Sequence, residues 1–227
     1  MRHHSGSERY ARSSATPSAK RSANRRSGLK RAFDLAVAAP ALLFFAPLLL
    51  CLWLTIRLQD GEDAIFRQAR VGADGEVFEL LKFRSMVIDA PMKLQAHLDA
   101  NPTAAHEWAR YQKLKSDPRI TPIGGFVRKT SLDELPQLWN IIKGDMSIVG
   151  PRPILISQID KHGDHFDAYK SVKPGVTGLW QINGRNETSF EERAKFDAEY
   201  AANWSFWLDL KIFLQTIPIV LFSRGAY

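Results

Sequence analysis

The sequence predicts an α+β fold, mostly helical, with a small antiparallel β-hairpin, a re-entrant membrane helix hairpin broken at Pro47, and amphipathic helices at the membrane interface. Three observations predict it. A run of 22 residues from Leu35 to Ile56 has no charge, two short β-like runs flank Asp74-Gly75, and helix-forming stretches fill much of the rest. With 227 residues, 45% of them hydrophobic, the chain is long enough for one sizeable core, which excludes wholesale disorder.

The N-terminal residues 1–28 are rich in Ser, Ala and Arg without apolar periodicity and read as a disordered basic tail. The overall charge of +7 is concentrated there: residues 1–31 hold nine basic residues against Glu8 alone, leaving 22 basic and 23 acidic residues beyond them. A body of charge −1 makes a poor surface for a phosphate backbone, so nucleic acid is not an expected partner. The tail reads instead as a topology and membrane-attachment signal. The lone Cys51 forms no intramolecular disulfide and fits a reducing compartment.

The apolar run follows, bounded by Asp34 and Arg57. A straight helix of that length would measure about 33 Å, enough to span a bilayer, and the run is too long for the apolar region of a signal peptide. Pro47 removes the helical bond to the Leu43 carbonyl, and Pro40 the bond to Ala36. Lys30 and Arg31 precede the run while Arg57, Arg67 and Arg70 follow it, so the positive-inside rule places both ends on one face. Two arms of roughly 16–18 Å, broken at Pro47, satisfy that rule. Ala46, with no hydroxyl, does nothing for the carbonyl left free.

Ala64–Gln68 and Val77–Phe83 then form the hairpin, with Asp74-Gly75 in its turn. Residues 90–116 are dense in helix formers, and Asp117-Pro118 ends that pattern. A further helix runs from near Asp133 to Lys143, stopped by Gly144. Residues 188–202 read as an amphipathic surface helix. The stretch from Asn203 to Phe222 suits either an interfacial helix, through Trp204, Phe206 and Trp207, or a core helix with exposed ends.

The chemistry concentrates between Arg128 and Pro153, around the adjacent acids Asp133 and Glu134. Ser131 with Glu134 fits a capping box, a purely structural role. With Asp133 as the cap, Pro136 instead falls harmlessly in the first turn, and the two carboxylates converge at a helix start. Arg128, Lys82, Arg84 and Arg152 are phosphate-binding candidates, Arg152 because its guanidinium sits between two prolines. Such a set suits a diphosphate with Mg2+, which binds through one or two carboxylates plus phosphate oxygens. Val172–Asn186 reads as a shaped loop in which Arg185 adds an anion contact. His162 and His165 have metal-like spacing but no third ligand nearby, and read as a surface loop.

Five ordered blocks resemble one family: KRAFDLAVA, FRQARVGADGEVFELLKFRSM, DPRITPIGGFVRKTSLDELPQLWNIIKGDMSIVGPRP, KPGVTGLWQINGRN and NWSFWLDLKIF, spread from about residue 29 to the C-terminus. Together they are similar to the bacterial sugar transferases, the monotopic phosphoglycosyl transferases, and among these to exopolysaccharide-initiating galactose-1-phosphate transferases. The resemblance implies transfer of a hexose 1-phosphate, from UDP-galactose or UDP-glucose, to undecaprenyl phosphate at the cytoplasmic face of a bacterial inner membrane, with release of UMP. It implies Asp133 as nucleophile, Glu134 beside Mg2+, Lys82, Arg128 and Arg152 at the phosphates, and Pro47 at the hairpin break. Ala46 and Ser85 depart from the family's usual Ser and Thr. Three regions follow: the tail at 1–28, a re-entrant membrane helix at 29–58, and a cytoplasmic catalytic domain with membrane-interface helices at 59–227. Membrane lipids, a second copy of the chain and polysaccharide-assembly proteins are further expected partners. The contrasting reading is a non-catalytic membrane scaffold for polysaccharide assembly.

Overall fold

A helix of 44 residues, α1 (Pro17–Asp60), opens the structure, a computed structural model that describes residues 17–111, 114–183 and 189–221. It begins inside the stretch read above as tail, so the helical boundary moves upstream, while residues 1–16 lie outside the described residues. Ala, Lys and Arg in that stretch are good helix formers, and extending an existing helix gains one hydrogen bond per residue fixed.

Pro40 and Pro47 both lie inside α1. The break expected at Pro47 is absent: the helix continues through both prolines. Both arms pack on the same body. Phe33, Val37 and Ala38 join one core cluster, Leu49, Leu52 and Ile56 a second, and Leu43, Phe44 and Leu48 between them are exposed. Among the described residues this is the one helix long and apolar enough to cross a membrane.

The charged residues before the apolar run fasten α1 to the body. Lys30 Nζ donates to Asp209 Oδ2 (2.6 Å), the Val149 carbonyl (2.9 Å) and Tyr200 OH (3.1 Å). Arg31 donates to the carbonyls of Ile141 and Ile142, and Asp34 Oδ1 accepts from Ser147 Oγ (2.8 Å) and Ile148 N (2.9 Å). At the far end Arg84 Nη1 reaches Asp60 Oδ2 at 2.6 Å.

The hairpin forms as the alternating pattern requires. Strand β1 (Ile65–Val71) pairs antiparallel with β2 (Val77–Phe83), in register from Ile65 opposite Phe83 to Val71 opposite Val77. The connection from Gly72 to Glu76 holds a 3-10 turn, Ala73–Gly75, in which Asp74 (φ 56°) and Gly75 (φ 79°) are left-handed. The predicted helical stretch becomes α2 (Ala90–Ala100) and α3 (Pro102–Tyr111). Helix α4 (Pro122–Lys129) is capped by Thr121, whose Oγ1 accepts from Gly124 N at 3.0 Å. A Cβ on Gly124 would lie 1.9 Å from the Ser85 carbonyl, so only glycine lets α4 sit this close to the segment after β2.

The helix expected from Asp133 is divided. Leu132–Glu134 forms a single 3-10 turn, and α5 (Gln137–Lys143) starts after Pro136 and ends at Gly144, φ 100°. Ser131 stands at φ 57° and its side chain caps nothing, so neither the capping box nor the Asp133 cap forms. Pro136 has no N–H to bond back into the turn and restarts the helix with its fixed φ.

Sequence periodicity does not reveal β3 (Ser147–Val149), which pairs parallel with β4 (Gly175–Thr177); three-residue strands are too short to show a period. Helices α6 (Ile159–His162) and α7 (Phe166–Lys170) lie in the connection. His162 is buried, 3% exposed, correcting the surface-loop expectation: its ring packs edge-on to Tyr169 and Phe190. After α8 (Leu179–Asn183), α9 (Phe190–Asn203) starts at the capping box that Ser189 makes with Glu192. In α10 (Phe206–Leu221) Ile212 is fully buried while Trp207 and Leu214 are exposed, so core packing and an outward apolar face occur on one helix. The main core joins Ala38, Leu80, Ile141, Met146, Ile148, Val149, Tyr200 and Ile212.

Candidate active site

Alternation along β2 puts Leu80 and Lys82 on one face, and antiparallel pairing adds Gln68 and Arg70 of β1 to it. The 3-10 turn brings Glu134 against this face: Lys82 Nζ lies 2.6 Å from Glu134 Oε1. Asn140 of α5 fixes the approach, donating from Nδ2 to the Glu79 carbonyl (2.7 Å) and accepting from Leu81 N (3.0 Å). Both acids therefore ride on a turn fastened to β2 by a buried amide.

The two carboxyl groups titrate differently. Burial pushes Asp133 up to about 6; Lys82 and Arg128 oppose the rise, and the Glu134 charge adds to it. Burial also disfavours the Glu134 carboxylate, but Lys82, Arg152 and the Gln137 amide outweigh it and hold that group below its ordinary range. Adjacent carboxyls whose pKa values are driven apart can divide their chemical roles. Above pH 6 Asp133 is an ionised group poorly compensated by its surroundings, which suits a nucleophile, while Glu134 is neutralised by Lys82.

Glu134 and Lys82 open onto a cleft lined also by Arg70, Gln137, Arg152 and Gln181. Gly175 forms part of its wall, where a Cβ would stand 2.1 Å from Gly150 N. Arg70 Nη1 donates to the Pro153 carbonyl at 2.9 Å, and burial together with the charge of Arg152 lowers it to about 10. Arg152 and Arg193 both approach the Trp180 ring, at 5.6 and 4.9 Å from its centroid. The cleft is thus a cationic recess with the Glu134 carboxylate in its wall and Asp133 in the same turn, suited to a ligand carrying more than one negative charge.

Of the residues predicted from sequence, Lys82, Asp133, Glu134 and Arg152 come together, and Arg128 is close enough at the end of α4 to influence Asp133. Arg84 does not join them. It follows the last residue of β2 and turns to Asp60 at the end of α1. Arg185 lies outside the described residues, and Pro47 belongs to the exposed stretch of α1. Sequence reasoning missed Arg70, Gln137, Gln181 and Arg193. Hairpin register was a usable signal for Arg70, which falls on the Lys82 face; Gln137 and Gln181 lie inside the ordered blocks but carry no charge to single them out, and Arg193 comes from a helix with no local motif.

No group of three or more His, Cys, Asp or Glu side chains suited to a metal ion occurs among the described residues. The paired oxygen donors of Asp133 and Glu134, beside cations able to hold phosphates, fit a Mg2+ ion that takes its other ligands from phosphate and water. They do not fit a closed structural metal site.

Sequence comparison adds a second line of support. A profile described as bacterial sugar transferase matches residues 25–223. The chain is 48% identical over 199 residues to a UDP-galactose-lipid carrier transferase of Erwinia amylovora, covering 88% of this chain and 42% of that protein. It is 47% identical over 199 residues to an undecaprenyl-phosphate galactose phosphotransferase of Salmonella typhimurium, with the same coverage. The exopolysaccharide production protein ExoY of Rhizobium meliloti is 44% identical over 198 residues, which cover 87% of this chain and 88% of that protein. The chain thus spans less than half the length of some relatives and nearly all of another.

Proposed function

The chain belongs to the bacterial sugar transferase family, and from that premise we propose that it moves a hexose 1-phosphate from a UDP-hexose, UDP-galactose or UDP-glucose, to undecaprenyl phosphate in exopolysaccharide synthesis. The single observation that carries this reading is the turn bearing Asp133 and Glu134, with Glu134 in the wall of a cleft that also holds Lys82, Arg70 and Arg152.

In the first step an Asp133 carboxylate oxygen attacks the phosphorus that bears the sugar. The bond from that phosphorus to the bridging diphosphate oxygen breaks, UMP leaves with the electron pair, and a hexose-phosphoryl aspartate remains. In the second step a phosphate oxygen of undecaprenyl phosphate attacks the same phosphorus and expels the Asp133 carboxylate. The product is undecaprenyl diphosphate hexose, and every phosphoryl group is accounted for.

Burial keeps Asp133 weakly solvated and reactive once ionised. Lys82 and Arg152 would neutralise charge that grows on the phosphoryl oxygens, and Arg128 would favour the ionised aspartate. Asp133 and Glu134 would hold Mg2+ together with the diphosphate, where the ion supplies charge neutralisation to the leaving phosphate.

One substrate is soluble and the other is held in lipid, so the site belongs at a membrane surface. The packing of both α1 arms on one body, with exposed leucines and Phe44 between them, supports an anchor that enters the bilayer and returns, leaving the domain on the cytoplasmic face of the inner membrane. The test is UMP release by the full-length chain in micelles with Mg2+, undecaprenyl phosphate and a panel of UDP-sugars. Release with one or more UDP-hexoses that depends on the lipid phosphate supports the assignment; no release across the panel contradicts it.

A further inference from the structure

Tyr169 of α7 is 1% exposed and sits in a small core of its own with Val71 and Ile154, flanked by Ile159 and Phe166. Packing accounts for the ring. It does not account for the hydroxyl, a polar group that needs partners once buried. Both of its partners are backbone groups of other segments: the Tyr169 hydroxyl donates to the Val71 carbonyl at the end of β1 (2.6 Å) and accepts from Ile154 N (3.3 Å). Burial raises the phenol above its ordinary pKa, so the proton it donates stays in place.

Val71 and Ile154 also face each other as an isolated antiparallel bridge, in which Val71 N donates to the Ile154 carbonyl at 3.0 Å. In a regular hydrogen-bonded pair the two residues exchange two such bonds. Here the hydroxyl joins the second exchange, taking the Ile154 N–H and giving its own to the Val71 carbonyl. A side chain from α7 thus helps set how the loop after β3 lies against β1. The residues beside this bridge carry the cleft. Neighbours along an extended chain point to opposite sides, so Val71 and Ile154 turn into the core while Arg70 and Pro153 line the cleft together with Arg152. Arg70 Nη1 donates to the Pro153 carbonyl at 2.9 Å, and its guanidinium feels the charge of Arg152, a repulsion that pushes strand and loop apart. On its other side the loop is tied to β4, through Gly150 N to the Thr177 carbonyl and Gly175 N to the Pro151 carbonyl, both at 2.8 Å. The bridge at Tyr169 closes the side that faces Arg70. It lies one residue from Arg70 and two from Arg152.

We propose that Tyr169 is a positioning residue for the cleft, its hydroxyl holding β1 and the loop so that Arg70 and Arg152 keep the separation a diphosphate needs. The proposal rests on the reading of that cleft as a diphosphate site. Tyr169 lines no part of the cleft among the described residues, and it acts through the two segments that carry the arginines.

Calorimetric titration of the full-length chain in micelles with inorganic pyrophosphate tests it. Tyr169→Phe keeps the ring, removes only the hydroxyl, and weakens binding by about tenfold, the scale of one lost buried hydrogen bond. Arg152→Ala weakens it at least as much. Adding Tyr169→Phe to Arg152→Ala then changes affinity by less than about twofold, because a separation matters only while both arginines are present. A hydroxyl that served the fold alone would lower the unfolding midpoint and leave pyrophosphate affinity where it was. A folded Tyr169→Phe chain that binds as the unaltered one does therefore overturns the proposal, as do fully additive losses in the double variant. If neither Arg70→Ala nor Arg152→Ala alters pyrophosphate binding, the diphosphate reading of the cleft fails first and the role of Tyr169 falls with it. Should Tyr169→Phe not fold, hydrogen exchange at the Ile154 amide of the unaltered chain decides. A ligand that favours the bridged arrangement slows that exchange by reciprocity, and a rate unmoved by saturating pyrophosphate overturns the proposal.

Discussion

Lys82 Nζ lies 2.6 Å from Glu134 Oε1, and this contact joins strand β2 to the turn that carries Asp133. The ammonium serves two acids at once, because it also opposes the rise in the Asp133 pKa. Lys82→Met should lower kcat/KM for sugar-phosphate transfer by about 100-fold, the scale of losing one charge-stabilising donor. It should also move the acidic limb of the pH–rate profile upward, since both carboxyl groups lose their nearest cation. Steady-state kinetics from pH 5 to 9 check both effects.

The pKa of about 6 for Asp133 gives a direct pH dependence. Only the carboxylate is nucleophilic, so kcat/KM should fall as pH drops through about 6. Stability should run the other way. A carboxyl raised in the folded state favours folding fully below its unfolded pKa of 3.8, and that contribution disappears as pH rises through about 6. Asp133→Asn should therefore be more stable than the unaltered chain at pH 7.5, by about 1–2 kcal/mol after allowance for partial solvent screening. The difference should vanish near pH 4. Denaturant unfolding in micelles at the two pH values checks the sign.

Lys30 and Asp209 pair at 2.6 Å with Asp209 fully buried, linking the base of α1 to α10. Lys30→Met strands that carboxylate and should cost about 3–5 kcal/mol, whereas Lys30→Met with Asp209→Leu should cost clearly less. Unfolding midpoints of the two single variants and the double one measure this. Equal losses in the single Lys30 variant and the double would show that the ion pair is not what fastens α1.

The candidate site is only partly legible in the sequence. Asp133, Glu134, Lys82 and Arg152 stand out because charged residues recur within short ordered blocks, and the structure brings Glu134, Lys82 and Arg152 to one cleft with Asp133 in the turn beside them. Arg84 carries the same signal and goes elsewhere, since β2 ends one residue earlier and an acid at the end of α1 is within reach. The turn around Asp133 reads as a helix start because Ser131 and Glu134 have capping spacing. What alters it is Pro136 acting with a left-handed Ser131, a backbone choice no local pattern reveals. Arg193 is invisible for a different reason. It occupies an ordinary amphipathic helix, and its place at the cleft depends on where α9 meets Trp180.

The anchor is separately testable. Both arms of α1 pack on one body, so single cysteines placed near Leu35 and Ile56, in a Cys51→Ala background, should label from the same side of inverted vesicles. Labelling from opposite sides would make α1 a spanning helix and would contradict a domain that contacts both of its ends.

The claim on which the rest depends is that Asp133 becomes covalently attached to the sugar phosphate. Intact-mass spectrometry of the full-length chain, incubated with Mg2+ and its preferred UDP-hexose without polyprenyl phosphate, tests that claim most directly. The account predicts a mass increase of one hexose phosphate, mapped by fragmentation to Asp133, absent from Asp133→Asn and discharged when undecaprenyl phosphate is added. An adduct on another residue, or lipid-linked product formed at the normal rate by Asp133→Asn, would contradict it.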